Sequence, residues 1–217
     1  MRYFFGFLFI FIGQDVIAKN CEQPQEIQAE NCRQVVLKNC TPCPSWWDKG
    51  WAITLYSGPV TSQTTSKLAH DFDFEGAGIV VLAGSKELFY IWDNQLNFEL
   101  ESQVAQQFNK QTNAEINPIV FIARWNDFPW NDSLPTTFAI GDGLSIATST
   151  PKLERKRRGR ETNKVLNYVM AELTLSLPEC PQWALVARYH HRSGMFGVFN
   201  GVHDASTAFA AGIKYWF

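Results

Sequence analysis

After the N-terminal run Tyr3 to Ile12, no stretch of the 217-residue chain reaches the roughly 18 apolar residues that a membrane-spanning helix needs. A helical membrane protein is thereby excluded, and a mature chain that crosses a bilayer must do so with strands. Charge of one sign is lacking too: 19 Lys and Arg stand against 21 Asp and Glu, a formal net charge of −2. Such a balance offers no general attraction to nucleic acid. The chain also has no second Cys or His pair at metal-ligand spacing to follow Cys40-Thr41-Pro42-Cys43. That favours a disulfide staple over a zinc site or a redox pair.

Apolar residues are abundant, 46% of the chain, yet the mean hydropathy is −0.17. They are therefore diluted by polar neighbours rather than gathered in blocks. Aromatic residues reach 14%, with 8 Trp and 17 Phe. A closed barrel with aromatic girdles uses them in this way, and so does an aromatic-rich soluble core. Arg2, the apolar run and Val16-Ile17-Ala18 have the form of a signal peptide cleaved after Ala18. Residues 19–46 then form a polar tail. Cys21, Cys32, Cys40 and Cys43 lie in it and Cys180 far beyond it, and in an exported chain such residues favour disulfides. Their number is odd, which leaves one thiol free or bonded to another molecule.

From Trp47 to Phe217 the hydropathy period is two. Strands are predicted at 51–56, 78–83, 96–104, 115–125, 136–149, 164–177, 183–193 and 205–217. Eight is the smallest number from which bacterial outer-membrane barrels are built. In the third strand Leu96, Phe98, Leu100 and Val104 oppose Asn97, Glu99, Glu101 and Gln103. In the seventh, Leu185, Ala187 and Tyr189 oppose Arg188, His190 and Arg192. A soluble barrel would turn the charged face to water, whereas a membrane barrel turns it inward. The signal peptide and the closing row Phe209, Ala211, Ile213, Tyr215, Phe217 favour the second. The expected architecture is an all-β, eight-stranded antiparallel transmembrane barrel with a polar interior, in the bacterial outer membrane. Both termini, and the tail, would be periplasmic. The Phe217 strand resembles the signal read by the outer-membrane assembly machinery, and nothing in the chain forbids a homodimer. Glu99, Glu101, Glu172, Arg124, Arg188 and His190 then read as a salt-bridged plug. Asp142, between Gly141 and Gly143, is left uncommitted, its glycines suggesting a bend or close packing.

His191 and Ser193 share one face of the seventh strand, about 6.5–7 Å apart from Cα to Cα. A base and a nucleophile so spaced form the minimal pair of a serine hydrolase. By parity they look outward to lipid, where ester bonds lie. His-x-Ser also occurs by chance, and a Ser at a strand end is commonly a turn residue.

His191-Arg192-Ser193 in the penultimate strand resembles the His-x-Ser motif of the PagL family of lipid A 3-O-deacylases. The resemblance is strongest over Tyr189 to Phe217 and looser back to Trp47. His190-His191-Arg192-Ser193-Gly194 and Ala123 to Trp130 look like an acyloxyacyl-hydrolase-like branch of such proteins. It implies an esterase that uses no cofactor and acts on lipid A, or lipopolysaccharide, in the outer leaflet. Family members carry Asn after the serine for the oxyanion hole, where this chain has Gly194 and only its N–H. The family's Glu falls on Ala205, leaving Asp204 as the nearest carboxylate to orient His191. The basic run Lys152 to Lys164, with Arg155, Arg157, Arg158 and Arg160, would grip lipid A phosphates, or is a flexible solvated loop. The alternative to an enzyme is a structural or adhesive barrel, and a soluble barrel holding an apolar ligand is a further one.

Overall fold

The computed structural model describes residues 50–63, 76–158, 163–195, 198, 202 and 204–217, with backbone alone at 156–158 and 204. The expected signal peptide and the tail with its four cysteines lie outside these residues. Among the described residues eight strands follow in order: β1 (Trp51–Thr61), β2 (Ala77–Ile91), β3 (Leu96–Asn109), β4 (Ala114–Trp125), β5 (Thr136–Ala147), β6 (Val165–Leu177), β7 (Cys180–Ser193) and β8 (Asp204–Trp216), with one helix, α1 (Lys152–Arg158), between β5 and β6. Each strand pairs antiparallel with the next, and β8 pairs with β1 to close the barrel. Closure leaves no unpaired edge, which is what allows strands to cross a bilayer.

Burial alternates along the strands with period two, as the hydropathy does. Leu55, Leu82, Phe121, Ile140, Leu185 and Ile213 point out and are exposed. Their inward neighbours are polar and buried, including Asn97, Glu99, Glu101, Gln103, Arg124, Glu172, Arg188 and Lys214. This is the inverse of a water-soluble barrel, and it fits a wall facing hydrocarbon. The predicted faces of β3 and β7 are the observed ones.

Charges buried this way need partners. Arg124 bridges Glu99 and Glu172, the latter at 2.7 Å. Arg188 lies between Glu101, at 2.7 Å, and Glu172. Lys214 reaches Glu172 at 3.2 Å and Glu99 at 3.6 Å. Higher up, His190 bonds Tyr56 through Nδ1 at 2.9 Å and Glu115 through Nε2 at 3.2 Å. The expected plug is therefore present.

The basic run departs from the loop picture. Its first part is α1, which enters the barrel mouth: Leu153 joins a buried apolar cluster with Tyr56, Val60, Ile79 and Val81. Beside it Glu154, 1% exposed, accepts from Arg192 Nη1 and from the Ser206 hydroxyl, each at 2.8 Å. An amphipathic turn with one inward acid thus finds the charge that β7 leaves unmatched. At the opposite end Pro178-Glu179 form a tight turn into β7, and the Cys180 thiol beside it is free and exposed.

Candidate functional site

The outward rows of β5 to β8 are apolar with a few interruptions, and the interruptions cluster. Register lines them up across the sheet. Asp142 is level with Val169 on β6, Val169 with His191 on β7, and His191 with Thr207 on β8. One step toward the α1 end, Leu144 is level with Asn167, Asn167 with Ser193, and Ser193 with Asp204. Five polar positions, Asp142, Asn167, His191, Ser193 and Thr207, thus cluster on the outward rows by register; Asp142 is exposed and Ser193 half-buried, while Asn167, His191 and Thr207 are buried.

Between those two rows β8 carries one extra residue, since His191 pairs with Thr207 but Ser193 pairs with Asp204. Such a bulge re-aims the side chains around it. Ser206 turns inward to Glu154, while the Thr207 hydroxyl lies 2.8 Å from His191 Nδ1. Both members of that bond are buried, at 1% and 6% exposure. Tyr189 stacks on the His191 ring, with centroids 5.5 Å apart and planes at 24°, and Phe209 packs edge-on against Tyr189. The Thr207 contact and the stacked Tyr189 ring thereby hold the imidazole in orientation.

Ser193 is half-buried at the end of β7, and its Oγ accepts from the Met195 N–H at 3.2 Å. Gly194 is buried. A Cβ there would lie 1.8 Å from the Val202 carbonyl oxygen, so the chain returns too closely for any side chain. The Asn of the family motif would not fit. Directly across from Ser193, Asn167 Nδ2 donates to Asp142 Oδ2 at 2.8 Å. The glycines flanking Asp142 reflect close packing: a Cβ on Gly143 would lie 2.2 Å from the Ile119 carbonyl oxygen.

Of the expected site residues, then, His191 and Ser193 lie on one outward row, and Asp204 pairs through its backbone with Ser193. The group at His191 Nδ1 is Thr207. Arg155 is half-buried in α1, while Arg160 and the side chains of Arg157 and Arg158 lie outside the described residues. Asn167 and Thr207 were not foreseen, although parity offered a signal. Asn167 interrupts the row Val169, Ala171, Leu173, and Thr207 the row Phe209, Ala211, Ile213.

Next to this cluster an apolar groove of about 690 Å³ runs along the wall, lined by Phe98, Phe121, Ile140, Val169 and Tyr189, with Asp142 at its side. Its size suits an acyl chain, and Tyr189 and Val169 connect it to His191.

No protein-family model matches the chain, and no curated protein sequence does. Solved structures do. The outer membrane enzyme PagL matches with a TM-score of 0.51 at 10% identity, over 76% of this chain and 98% of that one. Neisserial surface protein A (NspA) matches at 0.46 and 14%, over 77% and 97%. The outer membrane protein OprG from Pseudomonas aeruginosa follows at 0.37 and 11%, over 77% and 92%. At such identities the likeness is one of fold: a closed eight-stranded barrel of the outer-membrane type.

Proposed function

We propose that the protein is an outer-membrane esterase that hydrolyses the 3-position acyl ester of lipid A. The observation that carries the reading is the placement of His191 and Ser193 on one outward row of β7, beside an apolar groove large enough for an acyl chain. Ser193 Oγ attacks the ester carbonyl while His191 Nε2 takes its proton. The tetrahedral oxyanion is met by the Gly194 N–H, with the Asn167 amide across the strand as a second donor. On collapse the ester C–O bond breaks and His191 returns the proton to the leaving sugar oxygen. Water, deprotonated by the same imidazole, then releases the fatty acid from Ser193. The charged barrel interior, sealed behind this wall, takes no part. Arg155, Arg157, Arg158 and Arg160 would meet the lipid A phosphates from α1 and the segment after it.

A structural barrel is the second reading, and one contact favours it. Ser193 Oγ accepts a backbone N–H two residues on, as a turn serine does. An acyl-mimicking phosphonate separates the two. Covalent addition to Ser193, found by peptide mass spectrometry and lost in His191→Ala, supports the esterase. A folded barrel left unlabelled refutes it.

A further inference from the structure

On β5, Asp142 is a carboxylate on an outward row, and it is exposed. Its level neighbours and its neighbours along the row are apolar: Phe121 on β4, Val169 on β6, and Ile140 and Leu144 along β5. Phe121 and Ile140 are 64% and 57% exposed, so this is open wall rather than a covered pocket. An ionisable group in such a band is costly and marks a functional site unless something pairs with it. Its hydrogen-bond partner is Asn167, a neutral amide, at 2.8 Å. That bond engages Oδ2, and Asp142 lines the groove with Oδ1 as its second acceptor.

We propose that Asp142, oriented by Asn167, is a specificity seat for an N–H donor of the lipid whose acyl chain fills the groove. The lipid class this selects is an acylated amino sugar, through its amide-linked chain. The inference rests on the esterase reading for where the scissile ester sits. Asp142 and His191 are two strand spacings apart, about 10 Å between their backbones, a span that one lipid head bridges. The linkage region must therefore offer a hydrogen-bond donor close to the ester. Diacyl glycerophospholipids present only carbonyl acceptors in that region, which a carboxylate repels. An N-acylated sugar presents an amide N–H beside its O-acyl ester. The carboxylate thus favours one lipid class and penalises the commonest alternative, a form of discrimination by an unpaired polar group.

The test uses full-length Ser193→Ala protein, folded in micelles, so that binding is read without turnover. Three probes compete: an N,O-diacylated glucosamine phosphate, phosphatidylethanolamine and phosphatidylcholine. Retained lipid is counted by native mass spectrometry. The expected result is preference for the amino-sugar lipid over phosphatidylcholine by about tenfold or more, the scale of one charge-assisted hydrogen bond. Adding Asp142→Val should erase the preference, and Asp142→Asn should weaken it, with both variants keeping heat-modifiable gel mobility. Equal retention of all probes, or a preference that survives Asp142→Val, overturns the proposal. Preference for phosphatidylethanolamine alone overturns the amide assignment, since the donor would then be an ammonium. Because binding is read on a protein that cannot turn over, failure of the esterase reading and failure of the seat are seen separately.

Discussion

Replacing Arg188 with leucine tests the inverted core at its most connected point. Its guanidinium donates to both Glu101 oxygens, at 2.7 and 3.0 Å, and through Nε to Glu172 at 2.7 Å. Removing it affects the two acids differently. Glu172 keeps Arg124 at 2.7 Å and Lys214 at 3.2 Å. Glu101 keeps only the Gln103 amide, at 2.7 Å, and becomes a buried charge without a counter-ion. Breaking a buried pair on one side costs about 3–5 kcal/mol, whereas replacing both members by apolar groups is often near neutral. Arg188→Leu should therefore lose about 3–5 kcal/mol, and Arg188→Leu with Glu101→Leu should recover most of it. Urea unfolding of the barrel in phospholipid vesicles, followed by tryptophan fluorescence and gel mobility, measures both. A single-variant loss below about 1 kcal/mol, or a double variant less stable than the single, would refute the reasoning.

The same unfolding assay reads the outer wall. Leu185, 66% exposed, faces hydrocarbon on this account, so Leu185→Arg should cost about 2–4 kcal/mol in vesicles. A soluble barrel would tolerate that change. Gly194→Asn, which restores the family's residue, is expected to lose labelling of Ser193 rather than improve it, because its Cβ meets the Val202 carbonyl at 1.8 Å. Enhanced labelling would contradict the geometry. Thr207→Val removes the partner of His191 Nδ1, and should slow acylation about tenfold or more while Thr207→Ser retains it. Equal rates in the two variants would show that the hydroxyl does not orient the ring.

Much of the fold was legible because membrane strands write both faces into the sequence. The alternation over β3 and β7 identifies the strands and their polar row, and the signal-peptide form with the closing row to Phe217 favours turning that row inward. Pairing within the plug was not legible: Glu154 sits in a run of basic residues and reads as a solvated charge until α1 carries it to Arg192. Nor was the bulge in β8. Ala205-Ser206-Thr207-Ala208 has no hydropathy contrast from which to place an extra residue, yet that residue sends Ser206 inward and Thr207 to His191. His191 and Ser193 could be found by spacing on one strand. Asp142, Asn167 and Thr207 join them only through register between strands, which no single segment encodes. Asp142 was noticed for its glycines, and its meaning came from the apolar wall around it.

The most direct measurement is the mass of purified lipid A after incubation with the folded barrel in detergent. The account expects loss of one 3-hydroxyacyl chain from the 3-position with release of the free fatty acid, and no loss with Ser193→Ala or His191→Ala. Intact lipid A after incubation with correctly folded wild-type protein, or hydrolysis that persists in Ser193→Ala, would contradict it.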